Sequence, residues 1–178
     1  MNYFVLLLGP SGVGKSTVIR QLKDSNHDFV YISPFTTREL RDGETDKIHM
    51  DLETIISEDA KGSFLVINEI HGFRYATPKA SIYEALDNGL TSILDWPVQM
   101  LDVMELHFGD RLKKIYIKPS SIESLRDQLG QDGRDPDGQR FKTGLEELEN
   151  LDILRFDLVV INNTSEQTAN QIYQFLIS

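Results

Sequence analysis

Cysteine is absent from this 178-residue chain, which excludes disulfides and thiolate metal sites. Its absence agrees with a reducing compartment, and a cytoplasmic protein is the expectation. Positive charge is scarce as well. Eighteen Lys and Arg stand against 28 Asp and Glu, a net charge of -10. Such a balance excludes broad electrostatic binding of nucleic acid or anionic lipid, so neither nucleic acid nor membrane is an expected partner. Any anion must be bound at a focused site. Long apolar runs are missing too, since no stretch approaches the roughly 20 residues that span a bilayer. The apolar run Tyr3–Leu8 lacks the length and the cationic start of a signal sequence. His27, His49, His71 and His107 are scattered, without the paired spacing of a zinc site, and are expected to be surface or structural. The single tryptophan, Trp96, reads as core packing.

What is present is an alternation of short apolar runs and amphipathic stretches. Tyr3–Leu8, Phe29–Ser33, Thr91–Asp95, Lys114–Lys118 and Leu158–Asn162 are rich in Val, Ile, Leu or aromatics and bounded by turn formers. They read as buried parallel strands. Helical patterns follow at Thr17–Lys23, at Thr77–Asn88 with Thr77 as N-cap and Pro78 in the first turn, and at Pro97–His107. Ser120 with Glu123, and Thr164 with Gln167, have capping-box spacing. The prediction is an α/β fold with a parallel five-stranded core sheet covered by helices on both faces. Two regions break the rhythm. Residues 34–76 hold one helical stretch, Leu52–Ala60, and the strand-like pieces Lys47–Met50 and Phe64–Glu69, which suggest a small antiparallel insertion. Residues 129–140, LGQDGRDPDGQR, are polar and read as a mobile loop between helices, and the acidic run 145–152 reads as a solvated face.

The stretch Gly9–Thr17, GPSGVGKST, matches G-x-x-x-x-G-K-[ST] between an apolar strand and a helix, the context in which that pattern binds phosphate. Glycine lets the backbone turn its N–H groups around an anion, and the helix points its positive end at the same place. Gly9, Ser11, Gly12, Val13, Gly14, Lys15, Ser16 and Thr17 are therefore the expected nucleotide-binding residues. Lys15 suits the β- and γ-phosphates, the Ser16 hydroxyl suits Mg²⁺, and Thr17 suits the α-phosphate. Asp95, at the end of the strand SILD, is either a second magnesium-site residue or a cap for the segment at Pro97. Arg38 and Arg41, three apart in the run 36–44, TTRELRDGE, fit either a clamp on a second phosphate or a solvated charged loop.

In this order the motifs resemble those of guanylate kinases. That family carries GPSGxGKST, then S-x-T-T-R-x-x-R-x-G-E, then G-x-Y-Y-G-[ST], then a strand ending ILD. A lid with R-G and a helix with R-L-x-x-A-x-x-E-L complete it. Here they stand as GPSGVGKST at 9–17, TTRELRDGE at 36–44, GFRYAT at 72–77, ILD at 93–95, DGRD at 132–135 and RFKTGLEEL at 140–148. The resemblance implies a three-layer P-loop kinase fold with an acceptor-binding insertion and a helical lid. It also implies phosphoryl transfer from ATP, with Mg²⁺, to a small-molecule monophosphate, GMP first. On matching positions it implies that Arg38, Arg41 and Tyr75 bind the acceptor phosphate and that Thr77 stands near the base. Lys15, Arg38, Arg134 and Arg140 would serve catalysis by aligning the groups and spreading the transferred charge.

The base-reading positions depart from the family. A glutamate and an aspartate that accept the guanine N–H donors are Val66 and Pro97 here, and neither side chain accepts a hydrogen bond. Pro34 replaces a serine, Ile48 a tyrosine and Gln128 a lid arginine. Glu44 and Asn68 are the candidate replacements, Asn68 because strand alternation places it on the face of Val66. Two alternatives stay open. One is a kinase of ribose bisphosphate-type sugars from the same family; the other is a non-catalytic guanylate-kinase-like binding module. The expected organisation is one domain over 1–178. Its core is 1–33, 81–119 and 156–178, its acceptor-binding insertion 34–80 and its lid 120–155. It is expected to act as a monomer or homodimer.

Overall fold

The computed structural model describes residues 3–25, 28–70, 72–131, 133 and 135–178. In chain order the elements are β1 (Phe4–Leu8), α1 (Lys15–Ser25), β2 (Phe29–Tyr31), β3 (Phe35–Thr36), β4 (Ile48–His49) and α2 (Leu52–Ala60). Next come β5 (Phe64–Ile70), β6 (Phe73–Pro78), α3 (Lys79–Asp87), β7 (Thr91–Asp95), α4 (Leu101–Phe108), β8 (Leu112–Pro119), α5 (Ile122–Gln131) and α6 (Gln139–Glu149). The chain ends with β9 (Leu158–Asn162) and α7 (Ser165–Ile177).

All five expected core strands form, in one parallel sheet of order β2-β7-β1-β8-β9. Strand β1 lies at its centre and is wholly buried. Its side chains alternate: Val5 and Leu7 enter the cluster with Val18, Leu22 and Ile172, while Phe4, Leu6 and Leu8 enter the one with Ile82, Met104 and Tyr116. Both faces are thus apolar, which explains the continuous rather than alternating pattern of the strands. The phosphate-loop motif leaves the carboxyl end of β1, and Asp95 closes the neighbouring strand β7. The ends of these strands form the crevice where open α/β sheets bind ligands.

Residues 34–78 build a second sheet of order β4-β3-β6-β5. It is mixed rather than purely antiparallel as expected, because β3 pairs with β4 in parallel and with β6 antiparallel. A bulge between Phe64 and Val66 precedes the antiparallel pairing of β5 with β6. A small core of Ile55, Phe64 and Ala76 lies beneath.

The helix over Leu52–Ala60 forms as expected, with Asp51 accepting from the Thr54 N–H at 2.9 Å. Thr164 caps α7 through the Gln167 N–H at 3.3 Å. Three helix starts differ from expectation, the first because a 3-10 turn over Val98–Met100 follows Pro97 and α4 begins only at Leu101. Thr77 and Pro78 belong to β6, since Pro78 still pairs with Phe64, and helix α3 starts only at Lys79. Helix α5 is capped by Ser121, which accepts the Ser124 N–H at 3.0 Å, one residue beyond the expected Ser120. Leu129–Gln131 continue α5 and Gln139–Arg140 begin α6, so both ends of the run 129–140, expected as loop, are helical. Among the described residues, no helix is long and apolar enough to cross a membrane.

Candidate active site

The loop after β1 takes its shape from three glycines. Gly9, Gly12 and Gly14 have φ of 134°, 84° and 97°, which L side chains rarely adopt. Space adds to the demand. A Cβ on Gly9 would lie 2.3 Å from the Ile117 carbonyl oxygen of β8, and one on Gly14 would lie 2.7 Å from Asn162 Nδ2. Val13 is buried, so its N–H and carbonyl serve the loop while its side chain joins the core. No backbone group takes the N–H of Gly12, Gly14, Lys15 or Ser16 among the described residues. These donors and the start of α1 converge as an anion site.

Lys15 Nζ donates to the carbonyls of Gly9 at 2.6 Å and Pro10 at 3.0 Å, which holds it over the loop. Burial pulls its pKa below the ordinary lysine value, against the attraction of Asp95 and Glu147. Asp95 accepts a 2.6 Å bond from Tyr31 Oη, which fixes one carboxylate oxygen. Burial first, then the Asp95 charge and bond, push the Tyr31 hydroxyl up and keep it a donor.

Arg38 is held by Glu44. Its Nη2 donates to both carboxylate oxygens, at 2.6 and 2.7 Å, and its Nη1 to the Glu39 carbonyl at 2.6 Å. The Arg41 N–H donates to Glu44 Oε2 at 3.0 Å. The bond to Glu44 raises the Arg38 pKa, and Tyr75 adds to it. The Arg38 Nε is buried without a partner among the described residues. A guanidinium with one edge paired and one donor free is poised for an incoming oxygen.

One cavity of about 300 Å³ collects these groups: Gly9, Ser11 and Lys15 from the loop, Arg38, Arg41 and Tyr75 from the second sheet and its loop, Asp95, and Arg140 of α6. Asn68 lines it too, 7% exposed, as strand alternation predicted, whereas Glu69 faces solvent. Pro34 and Pro97 line it where the family has polar side chains. A second cavity of about 470 Å³ lies behind the 41–47 loop against α1, where Ser16 joins the wall. Thr77 is not brought to either cavity; it is 1% exposed in β6, opposite Val66. Glu44, expected as a base-reading candidate, has both its carboxylate oxygens engaged by Arg38. Arg74 stays outside the cavities. His49 and His107 are exposed and Trp96 is buried, all as expected. Arg134, named above for catalysis, lies outside the described residues, as do His27 and His71.

Three contributors escape a reading of the sequence. Glu147 belongs to the run expected to be solvated, yet it lines the cavity and accepts a 2.7 Å bond from Tyr116 Oη. Its spacing of seven from Arg140 would have placed both on one helix face. Asn162 Nδ2 donates to the Val13 carbonyl at 2.7 Å, and its Oδ1 accepts from Thr168 Oγ1 at 2.9 Å. That lock on the loop joins residues 149 apart and leaves no local signal. Asp135 receives the N–H groups of Arg140 and Phe141 at 2.8 and 2.9 Å, fixing the start of α6. Helix α6 also packs on the loop, where Gly144 is so close to Pro10 that an added Cβ would stand 3.1 Å from the proline.

A phosphate loop at the centre of a parallel sheet, facing an arginine clamp across one cavity, defines a P-loop kinase. A family model described as guanylate kinase matches residues 1–178. The chain is 30% identical to the guanylate kinase of Bdellovibrio bacteriovorus over 94% of its length and 92% of the relative's. It is 29% identical to that of Carboxydothermus hydrogenoformans, over 94% and 84%. The crystal structure of guanylate kinase from Anaplasma phagocytophilum shares the fold, with a TM-score of 0.77 at 23% identity, covering 99% of this chain and 85% of that one. The chain belongs to the guanylate kinase family.

Proposed function

We propose that this protein transfers the γ-phosphoryl group of ATP to GMP, giving ADP and GDP. The observation that carries the proposal is the single cavity walled by Lys15 on one side and by Arg38, Arg41 and Tyr75 on the other. Two anion sites at that proximity suit two phosphates brought end to end. Membership of the guanylate kinase family supports the choice of GMP. The sugar-phosphate and scaffold alternatives are not favoured, and Lys15 and Ser16 are both retained.

The residues present fit a magnesium ion on the donor. Ser16 places a hydroxyl at the start of α1, and Tyr31 holds only one oxygen of Asp95. No cluster of three acidic or histidine ligands occurs among the described residues. That suits Mg²⁺, which takes one or two protein oxygens and completes its shell with substrate phosphates and water. When bound, the ion neutralises charge on the donor phosphates. The chain's own groups do the rest. The loop amides and Lys15 hold the donor, and Arg38, Arg41 and Tyr75 aim the acceptor oxygen. Arg140 brings a further positive charge from α6, and the family resemblance assigns the same part to Arg134, which lies outside the described residues. Asn68 offers its amide to the guanine edge in place of the missing carboxylates. As Asn68 makes no side-chain bond among the described residues, it is free to do so.

The test is ADP release from Mg²⁺-ATP with GMP, dGMP, AMP, UMP, CMP and ribose bisphosphate as acceptors. GMP is expected to give the highest kcat/KM. Preference for the sugar, or turnover with none, would refute the proposal.

A further inference from the structure

Lys47 walls both cavities, yet no role falls to it from the phosphate loop or the arginine pair. In sequence it opens the strand-like piece Lys47–Met50 and carries no motif, and its side chain is only 16% exposed. Its Nζ donates to Asp46 Oδ2 at 3.0 Å and lies 4.0 Å from Glu44 Oε1, beyond hydrogen-bond range. An ammonium has three donors, so two remain for another oxygen. The same cavity wall carries Arg38, Arg41 and Tyr75.

Charge accounting shows what is missing without it. The Arg38 guanidinium is already matched by the Glu44 carboxylate. Of the two acceptor-side arginines that leaves Arg41, which is exposed and so screened by solvent. A phosphate monoester carries a charge of about -1.5 to -2 at neutral pH. One screened guanidinium does not balance it. Lys47 is the less exposed cation beside it, and its partner Asp46 is open enough to water to release it at little cost.

We propose that Lys47 is a third cationic ligand of the acceptor phosphate, acting beside Arg38 and Arg41. The proposal rests on the reading of this cavity as the acceptor site. Its test is calorimetric titration of GMP into the wild-type protein, Lys47→Met and Lys47→Arg without donor, followed by steady-state kinetics. Lys47→Met is expected to weaken GMP binding about tenfold or more, as loss of a charge-assisted bond does. It should raise the GMP KM in parallel and leave the ATP KM within twofold. Lys47→Arg should return both to within threefold of wild type. A purely structural lysine would lower the melting temperature without this split. GMP affinity in Lys47→Met equal to wild type overturns the proposal, whatever happens to stability. If wild-type protein neither binds nor phosphorylates GMP, the functional reading fails first. The same three proteins titrated with inorganic phosphate then decide on Lys47, equal affinities again overturning it.

Discussion

Glutamine in place of Glu44 keeps the side-chain volume and removes the charge that holds Arg38. The pair is well shielded, with side chains 13% and 9% exposed, and the contacts are 2.6 and 2.7 Å. Arg38 has little else to turn to, because its Nε is already unpartnered. Breaking a buried ion pair from one side costs about 3–5 kcal/mol. With some solvent reaching both groups, the low end applies, about 3 kcal/mol. For a domain of this size that corresponds to a fall of about 6–12 °C in Tm. Thermal unfolding followed by circular dichroism at pH 7 measures it. The pH dependence adds a signature. Burial disfavours the Glu44 carboxylate, but the Arg38 bond, the Arg41 N–H and the charges of Arg38 and Lys47 outweigh it, so its pKa lies below the ordinary value. The stabilisation is therefore full above the unfolded glutamate value near 4.3 and lost as pH falls through the lower folded value. The deficit of Glu44→Gln should shrink over that acidic window. Saturating GMP should raise the Tm of the variant more than that of wild type, since the acceptor phosphate takes over the vacated edge of Arg38. A loss under about 2 °C at pH 7, or a deficit that persists unchanged into acid, refutes the reasoning.

Lys15→Ala should lower kcat at least about 10²–10³-fold, the effect of deleting one preorganised charge-stabilising donor, with an unchanged far-UV spectrum. Normal turnover would remove the loop from the mechanism. Asn162→Ala leaves the Val13 carbonyl and the Thr168 hydroxyl without their partner, so a stability loss of about 1–3 kcal/mol and a raised ATP KM are expected from unfolding curves and kinetics. An unchanged ATP KM would mean that the loop holds its shape without that lock.

The sheet was legible because its central strands β1 and β7 are buried on both faces and the others are apolar along most of their length. Such strands carry largely apolar runs, and all five stand out as runs of that kind. Boundaries were less legible. Strand β8 reaches back to Leu112 although Lys113 and Lys114 interrupt its apolar run, because lysine stems lie along the sheet while their ammonium groups reach out. Lys113 covers the Tyr3 ring and Lys114 pairs with Glu105 at 2.8 Å. Thr77 and Pro78 mimic a helix start, and only their pairing across to β5 shows that the strand continues through them. The phosphate loop was readable because one local motif specifies it, from the strand before to the helix after. Arg38, Arg41, Asn68, Tyr75, Asp95 and Arg140 also stand in the cavity as named from the sequence, but the partners that hold them were not readable, because those pairs are formed in space. Glu44 meets Arg38 within a loop whose path no periodicity predicts. Lys47 opens a strand-like piece and belongs to no motif, and Asn162 reaches the loop from the far end of the chain.

These pairings also explain how a chain of net charge -10 holds an anion site. Each central cation has a carboxylate nearby: Lys15 feels Asp95 and Glu147, Arg38 is bound by Glu44, and Lys47 by Asp46. Burying those cations unpaired would cost several kcal/mol each. Paired, they can be kept in a half-closed cavity without self-repulsion pushing the loops apart. On the proposed reading, substrate phosphates would meet groups already desolvated and oriented, and binding would exchange one oxygen partner for another instead of stripping water from free charges. The exchange would be selective. A carboxylate fixed from a second direction, as Glu44 is by the Arg41 N–H and Asp95 by Tyr31 Oη, stays in place and keeps its cation aimed. On the proposed reading, one at the solvent edge, as Asp46 is, would give way. The acidic residues of this site would thus divide into those that aim the cations and those that release them.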